Sequence, residues 1–402
     1  MSPLREKAAT VSVSVVVGLL LIELIFRIAA IGSPAFVTVD RVTGVAHVPG
    51  ARGWYTREGK GWVEIDGAGL RGPRRPLEKP PGALRIALLG DSFTEALQVN
   101  DEASYARVVE RRLSELLGRP VEVLNFGVSG FGTAEEYLLL EHRVWRFSPD
   151  WVVVAFLTAN DVGDNHPTLK RAAYLPSFRV IDGELRLDES YLSSDLQRTQ
   201  DDSLVRGRRY LTQHSRLVQV VSGAALALQA RSDARAAPLA AGAEAGLDMD
   251  VYREPATEAW IEAWDITERL LVAMRNHTRE HGARFALVVL SNGVQVHPDV
   301  QRRRQAASEL GVADLFYPDR RLQAFAEGAA IPALVLAPAL AEEAARSHVF
   351  FHGFGKAVGT GHWNEAGHRA AGERIAAWLA AQSKQSVNEG SRGTTAGKGE
   401  NP

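Results

Sequence analysis

The chain has 402 residues, 46% of them apolar, a formal net charge of −2 and no cysteine. That length suits one large domain with insertions or two smaller ones. The near-neutral charge offers no basic field for nucleic acid, and the absence of thiols excludes disulfides, a cysteine nucleophile and thiolate zinc sites.

The first predicted element is an apolar helix. "MSPLREK" carries Arg5 and Lys7 ahead of "AATVSVSVVVGLLLIELIFRIAAI", residues 8–31, a run long enough to cross a bilayer. A basic flank before the apolar run favours an N-terminus inside and the bulk of the chain outside. Residues 1–33 are therefore expected to be a single-pass membrane anchor with the rest extracytoplasmic. Glu23 and Arg27 stand four apart and can pair on one helix face. A cleaved signal peptide ending in "AAIGSPA" and a soluble amphipathic helix are the alternatives.

Residues 34–83 read as a β-rich appended segment. "GWVEIDGAGLRGP" alternates and then turns at Asp66-Gly67. "RRPLEKPPG", Arg74 to Gly82, is a Pro-rich linker.

From Leu84 short aliphatic runs alternate with helical periods. The predicted strands are "LRIALL", Val121 to Phe126, Trp151 to Leu157, Arg284 to Leu290 and Ile331 to Ala337. Helices are expected around Tyr105 to Leu117, Thr133 to Arg146 and Thr257 to His281. The last puts Trp260, Trp264, Leu271 and Met274 on one core-packing stripe. Nearly continuous apolar strands separated by helices read as an α/β fold with a five-stranded parallel sheet covered on both faces. The main domain spans 84–383. An insertion at about 160–255 contains a hairpin, Phe178 to Leu187, turning at Asp182-Gly183. Within it, Gln229 to Gly246 is Ala/Gly-rich and expected to be mobile, and the 384–402 tail is expected to be disordered. Aromatic residues of the insertion, such as Tyr174, Phe178 and Tyr191, are expected to pack its own small core, with a sugar site as the alternative.

Four stretches carry candidate chemistry, each just after a predicted strand. Ser92 in "GDS" follows the first strand, where ligands bind in open α/β sheets; the plain alternative is a helix N-cap. "NFGVSGFGT" ends the second strand, and its glycines can turn backbone N–H groups toward an anion. "LTAND" ends the third, with the Asn160 amide a further donor or simply an Asx turn. "GTGHWNEAGHRAAGERIAAWLA" puts His362 two residues before the N-cap Asn364, on the loop after the fifth strand, and histidine is the usual base for activating a serine. His368, inside the helix, is read as packing or capping. No HExxH motif is present and the two histidines stand six apart, so no metal is expected.

In these four blocks the chain resembles the SGNH/GDSL hydrolase superfamily: "GDS" with Ser92, "SG" with Gly130, "ND" with Asn160 and "GHWNEAGH" with His362. The resemblance covers about residues 84–381 and leaves the long insertion unmatched. It implies a three-layer α/β/α flavodoxin-like sandwich and hydrolysis or transfer of acyl esters. It implies Ser92 as nucleophile and His362 as base, with the Ser92 and Gly130 N–H groups and the Asn160 amide as the oxyanion hole. Asp91 and Asp161 are read as structural.

The family usually places an aspartate two or three residues before the histidine, where this chain has Gly359 and Thr360. Three readings follow. The site is a Ser-His dyad, with a backbone carbonyl or the Thr360 hydroxyl on the second ring nitrogen. Another acid, from the long loop or elsewhere, fills the role. Or the protein is weakly active or inactive. The expected function is an extracytoplasmic serine esterase acting on short-chain or O-acetyl esters, without cofactor or metal, its substrate an acyl ester, with an O-acetylated carbohydrate as one candidate. An O-acyltransferase of envelope polysaccharide and an inactive carbohydrate-binding protein are the alternatives.

Overall fold

The structure, a computed structural model, describes residues 3–170, 172–225 and 248–395. The expected mobile stretch Gln229 to Gly246 lies outside the described residues.

Eleven strands are described: β1 (Val37–Asp40), β2 (Gly44–His47), β3 (Arg52–Tyr55), β4 (Gly61–Glu64), β5 (Leu84–Gly90), β6 (Val121–Asn125), β7 (Trp151–Phe156), β8 (Ser177–Ile181), β9 (Glu184–Asp188), β10 (Arg284–Val289) and β11 (Ala333–Val335). Five of them form one sheet in the order β11-β10-β7-β5-β6, parallel throughout. The alternation of side chains along β5 explains the layers. Ile86 and Leu88 pack on one face, with Tyr105, Leu113 and Ile375 from the helices Tyr105–Leu117 and Glu365–Thr395. Ala87 and Leu89 pack on the other, with Trp264, Leu271 and Met274 from the helix Glu258–Glu280. This is the three-layer α/β/α sandwich, and the tryptophan stripe serves as core.

Strand order reverses about β5: the chain steps from β5 to β6 on one side and then to β7 on the other. The carboxyl ends of these strands open a crevice, the place where such sheets bind ligands. Arg85 is buried at the foot of β5. It pairs with Glu122 at 2.7 Å and donates to the carbonyls of Leu77 and Phe147, which ties the linker to the sheet.

Three expectations shift. The fifth strand is only Ala333–Val335, since Pro332 precedes it and a helix, Ala337–Ser347, begins with Pro338 in its first turn. His362 therefore follows that helix rather than the strand directly. The last helix continues to Thr395, past the Lys384 boundary where disorder was expected; no proline interrupts "KQSVNEGSRGTT". The segment 133–146 is an α-helix only to Leu139, continued by a π-turn and a 3-10 turn to Phe147.

In the insertion, β8 and β9 pair as an antiparallel hairpin, with Asp182 at φ 54° and Gly183 at φ 80°. Two successive positive φ values make the turn whose twist suits a hairpin. Phe178 is buried with Leu138 and Ile266, and the Tyr191 hydroxyl donates to the Arg41 carbonyl at 2.7 Å. These aromatics pack the insertion onto the domain. Near the N-terminus, the helix Pro3–Ile28 contains one stretch, Arg5–Ile28, long and apolar enough to cross a membrane.

Candidate active site

β5 ends at Gly90, and the turn into the helix Ser92–Glu95 needs that glycine. A Cβ there would lie 2.0 Å from Thr94 Oγ1. Asp91 is the N-cap: its Oδ1 accepts the Phe93 N–H at 2.9 Å and so starts the turn carrying Ser92. Ser92 itself is only half-buried. Serine is thus not the cap here; the preceding aspartate is.

His362 stands 270 residues further along, and its Nε2 lies 2.8 Å from Ser92 Oγ. Its other ring nitrogen, Nδ1, lies 2.5 Å from Glu58 Oε2, and its backbone N–H donates to Glu58 Oε1 at 2.9 Å. Burial works against the Glu58 charge. The hydrogen bonds and positive potential of His362 outweigh it and hold Glu58 below the ordinary carboxylate range. An ionised carboxylate only accepts, so Nδ1 carries the proton and donates to Glu58. Nε2 is then the acceptor for the Ser92 hydroxyl. That is the geometry of a Ser-His-acid relay, with glutamate as the acid.

Thr360 does not orient the imidazole. Its hydroxyl donates to the Ala357 carbonyl at 3.1 Å, and Glu58 occupies the Nδ1 side. Glu58 comes from the loop between β3 and β4, in the segment expected to be merely appended. Two glycines admit it. Gly361 has φ +78°, and a Cβ there would sit 2.3 Å from Glu58 Oε1. Gly59 has φ +66°, with a Cβ position 2.5 Å from the Gln98 carbonyl.

The histidine loop is braced from beneath. His352 is buried, and burial lowers it to about 4, so it is neutral. Its Nδ1–H donates to the Gly361 carbonyl at 2.7 Å, and the Ser291 hydroxyl donates to its Nε2 at 3.2 Å. The Trp363 indole N–H donates to Ser291 Oγ at 3.0 Å. Phe93 lies against the His362 ring, centroids 4.9 Å apart. These contacts hold the imidazole plane.

On the other side of Ser92, Asn160 lies on the short helix Thr158–Asp164 rather than in a bare turn, and its Nδ2 donates to Asp91 Oδ2 at 3.3 Å. Asp161 caps its own turn by accepting the Leu157 N–H at 2.7 Å. Gly130 is exposed with φ +85°. Among the described residues neither its N–H nor that of Ser92 has a hydrogen-bond partner, which leaves both able to meet an incoming anion. The loop before Gly130 is held by Glu95, which accepts the Ser129 N–H at 2.9 Å and the Ser129 hydroxyl. Glu95 in turn meets His47 Nε2 at 2.7 Å. Sequence reasoning missed Glu58, His47, Glu95 and His352. Among the described residues no group of three or more His, Asp and Glu side chains is arranged to hold a metal.

The family model of the GDSL-like lipase/acylhydrolase family matches residues 88–370. The chain belongs to this family. Its members are ester-bond hydrolases, and this GDSL-like chain is a hydrolase of acyl esters. No curated protein matches it. Among solved structures, similarity extends to a lipase from a goat rumen metagenome (14% identity, 73% of this chain and 97% of that one, TM-score 0.39). A second is an acetyl xylan esterase (10%, 73% and 98%, TM-score 0.38). A third is a catalytic mutant of an acetylxylan esterase from Geobacillus stearothermophilus (12%, 74% and 94%, TM-score 0.36).

Proposed function

We propose that this GDSL-like hydrolase is a membrane-anchored, extracytoplasmic serine esterase working through Ser92, His362 and Glu58. The observation that carries the reading is the continuous hydrogen-bond chain Ser92 Oγ, His362 Nε2, His362 Nδ1, Glu58 Oε2, at 2.8 and 2.5 Å. Ser92 Oγ attacks the ester carbonyl while His362 takes its proton. Glu58 fixes the ring tautomer and stabilises the imidazolium that forms. The Ser92 and Gly130 N–H groups and the Asn160 amide receive the oxyanion. The tetrahedral intermediate collapses as His362 returns the proton to the leaving alcohol. Water, activated by the same histidine, then releases the acid from the acyl-enzyme. No step calls for a cofactor.

The glutamate partner weighs against the readings as a dyad or an inactive relative. Gly130 is exposed and Ser92 half-buried, so the nucleophile is reached from open solvent. An open site suits a small acyl group on a bulky alcohol, and we take an O-acetylated carbohydrate as the substrate class.

The test uses the full-length chain in detergent micelles with aryl esters of increasing acyl length and with an acetylated oligosaccharide. Turnover falling with acyl length, acetate release from the oligosaccharide, and loss of both in S92A and H362A are expected. Turnover unchanged in S92A overturns the mechanism. Preference for long acyl chains, or no acetate released, overturns the substrate class.

A further inference from the structure

The helix Ser203–His214 turns an apolar stripe outward. Leu204 is 82% exposed, Tyr210 63% and Leu211 53%. At helical spacing Leu204, Gly207 and Leu211 share one stripe, with Arg206 and Arg208 on its two flanks. The opposite side, with Val205 and Thr212, is half-buried and faces β1. An outward apolar stripe bordered by arginines is the pattern of a helix lying in a membrane interface, its cationic ends reaching to headgroups.

Its position in the fold agrees. The Arg27 guanidinium donates to the His214 carbonyl at 2.6 Å. Glu23, paired with Arg27 at 2.8 Å, accepts the Ser215 hydroxyl at 3.0 Å and the N–H groups of Arg216 at 2.9 Å and Leu217 at 3.0 Å. Glu23 thus caps the start of the next helix. The two charges that interrupt the apolar run are docking groups for the folded domain. A leader cut from the chain would abandon all four of these contacts, so they favour a retained helix. The remainder of that helix shows its side chains outward, among them Leu20 at 64% and Leu24 at 52% exposed, as a helix surrounded by lipid does.

A third observation gives the surface its ligand chemistry. Arg206 and Arg208, the exposed arginines beside the stripe, make no ion pair among the described residues. Phosphate oxygens are natural partners of a guanidinium.

We propose that the helix Ser203–His214 is a membrane-surface seat. Its Leu204–Leu211 stripe lies in the headgroup boundary, and Arg206 and Arg208 on its flanks contact the phosphates of anionic phospholipids. The catalytic domain is thereby held against the bilayer that the N-terminal helix spans. The seat rests on the reading of that helix as a retained span.

The chain's lack of cysteine allows single-site labelling. The full-length protein is reconstituted into phosphatidylglycerol/phosphatidylethanolamine vesicles carrying a nitroxide lipid, with bimane placed at L204C, L211C, L20C or L116C. Emission at L204C, L211C and L20C falls about twofold or more while L116C is unaffected. Replacing the anionic lipid by phosphatidylcholine, or adding R206Q and R208Q, weakens the quenching at L211C. Quenching at L20C but not at L204C and L211C overturns the seat while the span stands. No quenching at L20C overturns the span and the seat with it. Equal quenching at all four positions also overturns the proposal.

Discussion

Replacing Glu58 by glutamine keeps its shape and removes its charge. With Nδ1 and Oε2 at 2.5 Å, the centres of the carboxylate and an imidazolium lie about 4 Å apart, worth about 4 kcal/mol at an effective dielectric constant of about 20. Both side chains are about a quarter exposed, 24% for His362 and 26% for Glu58, so solvent takes part of this. A loss of about 2–4 kcal/mol in the transition state corresponds to a fall in kcat of roughly 30-fold to 10³-fold. KM should change little, because the imidazolium forms only as the reaction proceeds. Aspartate at this position is one methylene short of reaching both the ring and the backbone N–H of His362, so E58D should fall between wild type and E58Q. The assay is steady-state hydrolysis of an aryl acetate, normalised to active sites by phosphonate titration, with circular dichroism to confirm the fold. A kcat for folded E58Q within about twofold of wild type would refute the assignment of Glu58 as the histidine's partner.

Asn160→Ala should lower kcat by about 10²–10³, the usual effect of removing one oxyanion donor, with phosphonate binding weakened in parallel; an unchanged kcat removes Asn160 from the site. Gly361→Ala places a Cβ at a position 2.3 Å from Glu58 Oε1, at φ +78°, so its kcat should fall at least as far as that of E58Q while the far-UV spectrum is kept. Asp319 is 1% exposed, and burial raises it to about 7, opposed by the Gln295 amide donating at 2.6 Å. Its folded pKa is above the unfolded value of about 3.9, so the native state holds a proton that the unfolded chain releases, and stability falls as pH rises from about 4 to 7. Asp319→Asn should remove a pH-dependent loss on the order of a few kcal/mol. Melting curves at pH 5 and pH 8 that differ as much in D319N as in wild type would contradict this.

The sheet was legible because β5, β6, β7 and β10 are buried on both faces and so are nearly continuously apolar, with Arg85 and Glu122 paired at the foot. The Ser92, Gly130 and Asn160 blocks each follow a strand that pattern alone locates, whereas a helix the pattern did not show, Ala337–Ser347, stands between the fifth strand and His362. Glu58 was not legible, since it lies 304 residues from its partner, in a segment whose own pattern says only that it is β-rich. One signal was present: Gly361, directly before the histidine, marks a close approach, but a glycine does not say what approaches. His47, Glu95 and His352 were hidden for a similar reason. Each is a buried polar group satisfied by residues distant in sequence, such as Gly69, Ser129 and Ser291, and no local period encodes that pairing.

An acid two residues before the histidine would depend only on its own loop. Here it depends on the docking of residues 34–83, and that docking reaches both sides of Ser92. Glu58 serves the histidine, while His47 supports Glu95 and through it the loop that presents Gly130. The segment is secured by polar contacts at its edges: Trp62 N–H to Asn100 at 2.8 Å, Arg71 N–H to the Asn125 carbonyl at 3.2 Å, and the Arg71 side chain to the Val99 carbonyl at 3.1 Å. The apolar cluster it forms with Leu97 is small, with Phe36, Val63 and Ile65 as its buried members, and of its buried apolar side chains Leu70 joins one of the two large clusters that flank the sheet. Regions with few buried apolar contacts open at lower free energy than the core. Activity in urea should therefore be lost before the sheet unfolds, with the far-UV signal and the buried Trp264 reporting the later transition. In E58A, which has already lost the acid, the residual rate should decline closer to the global transition, because less of it depends on the docked segment. Coincident loss of activity and far-UV signal in the wild-type chain would show that the segment and the sheet are one cooperative unit, and would remove the separation argued here.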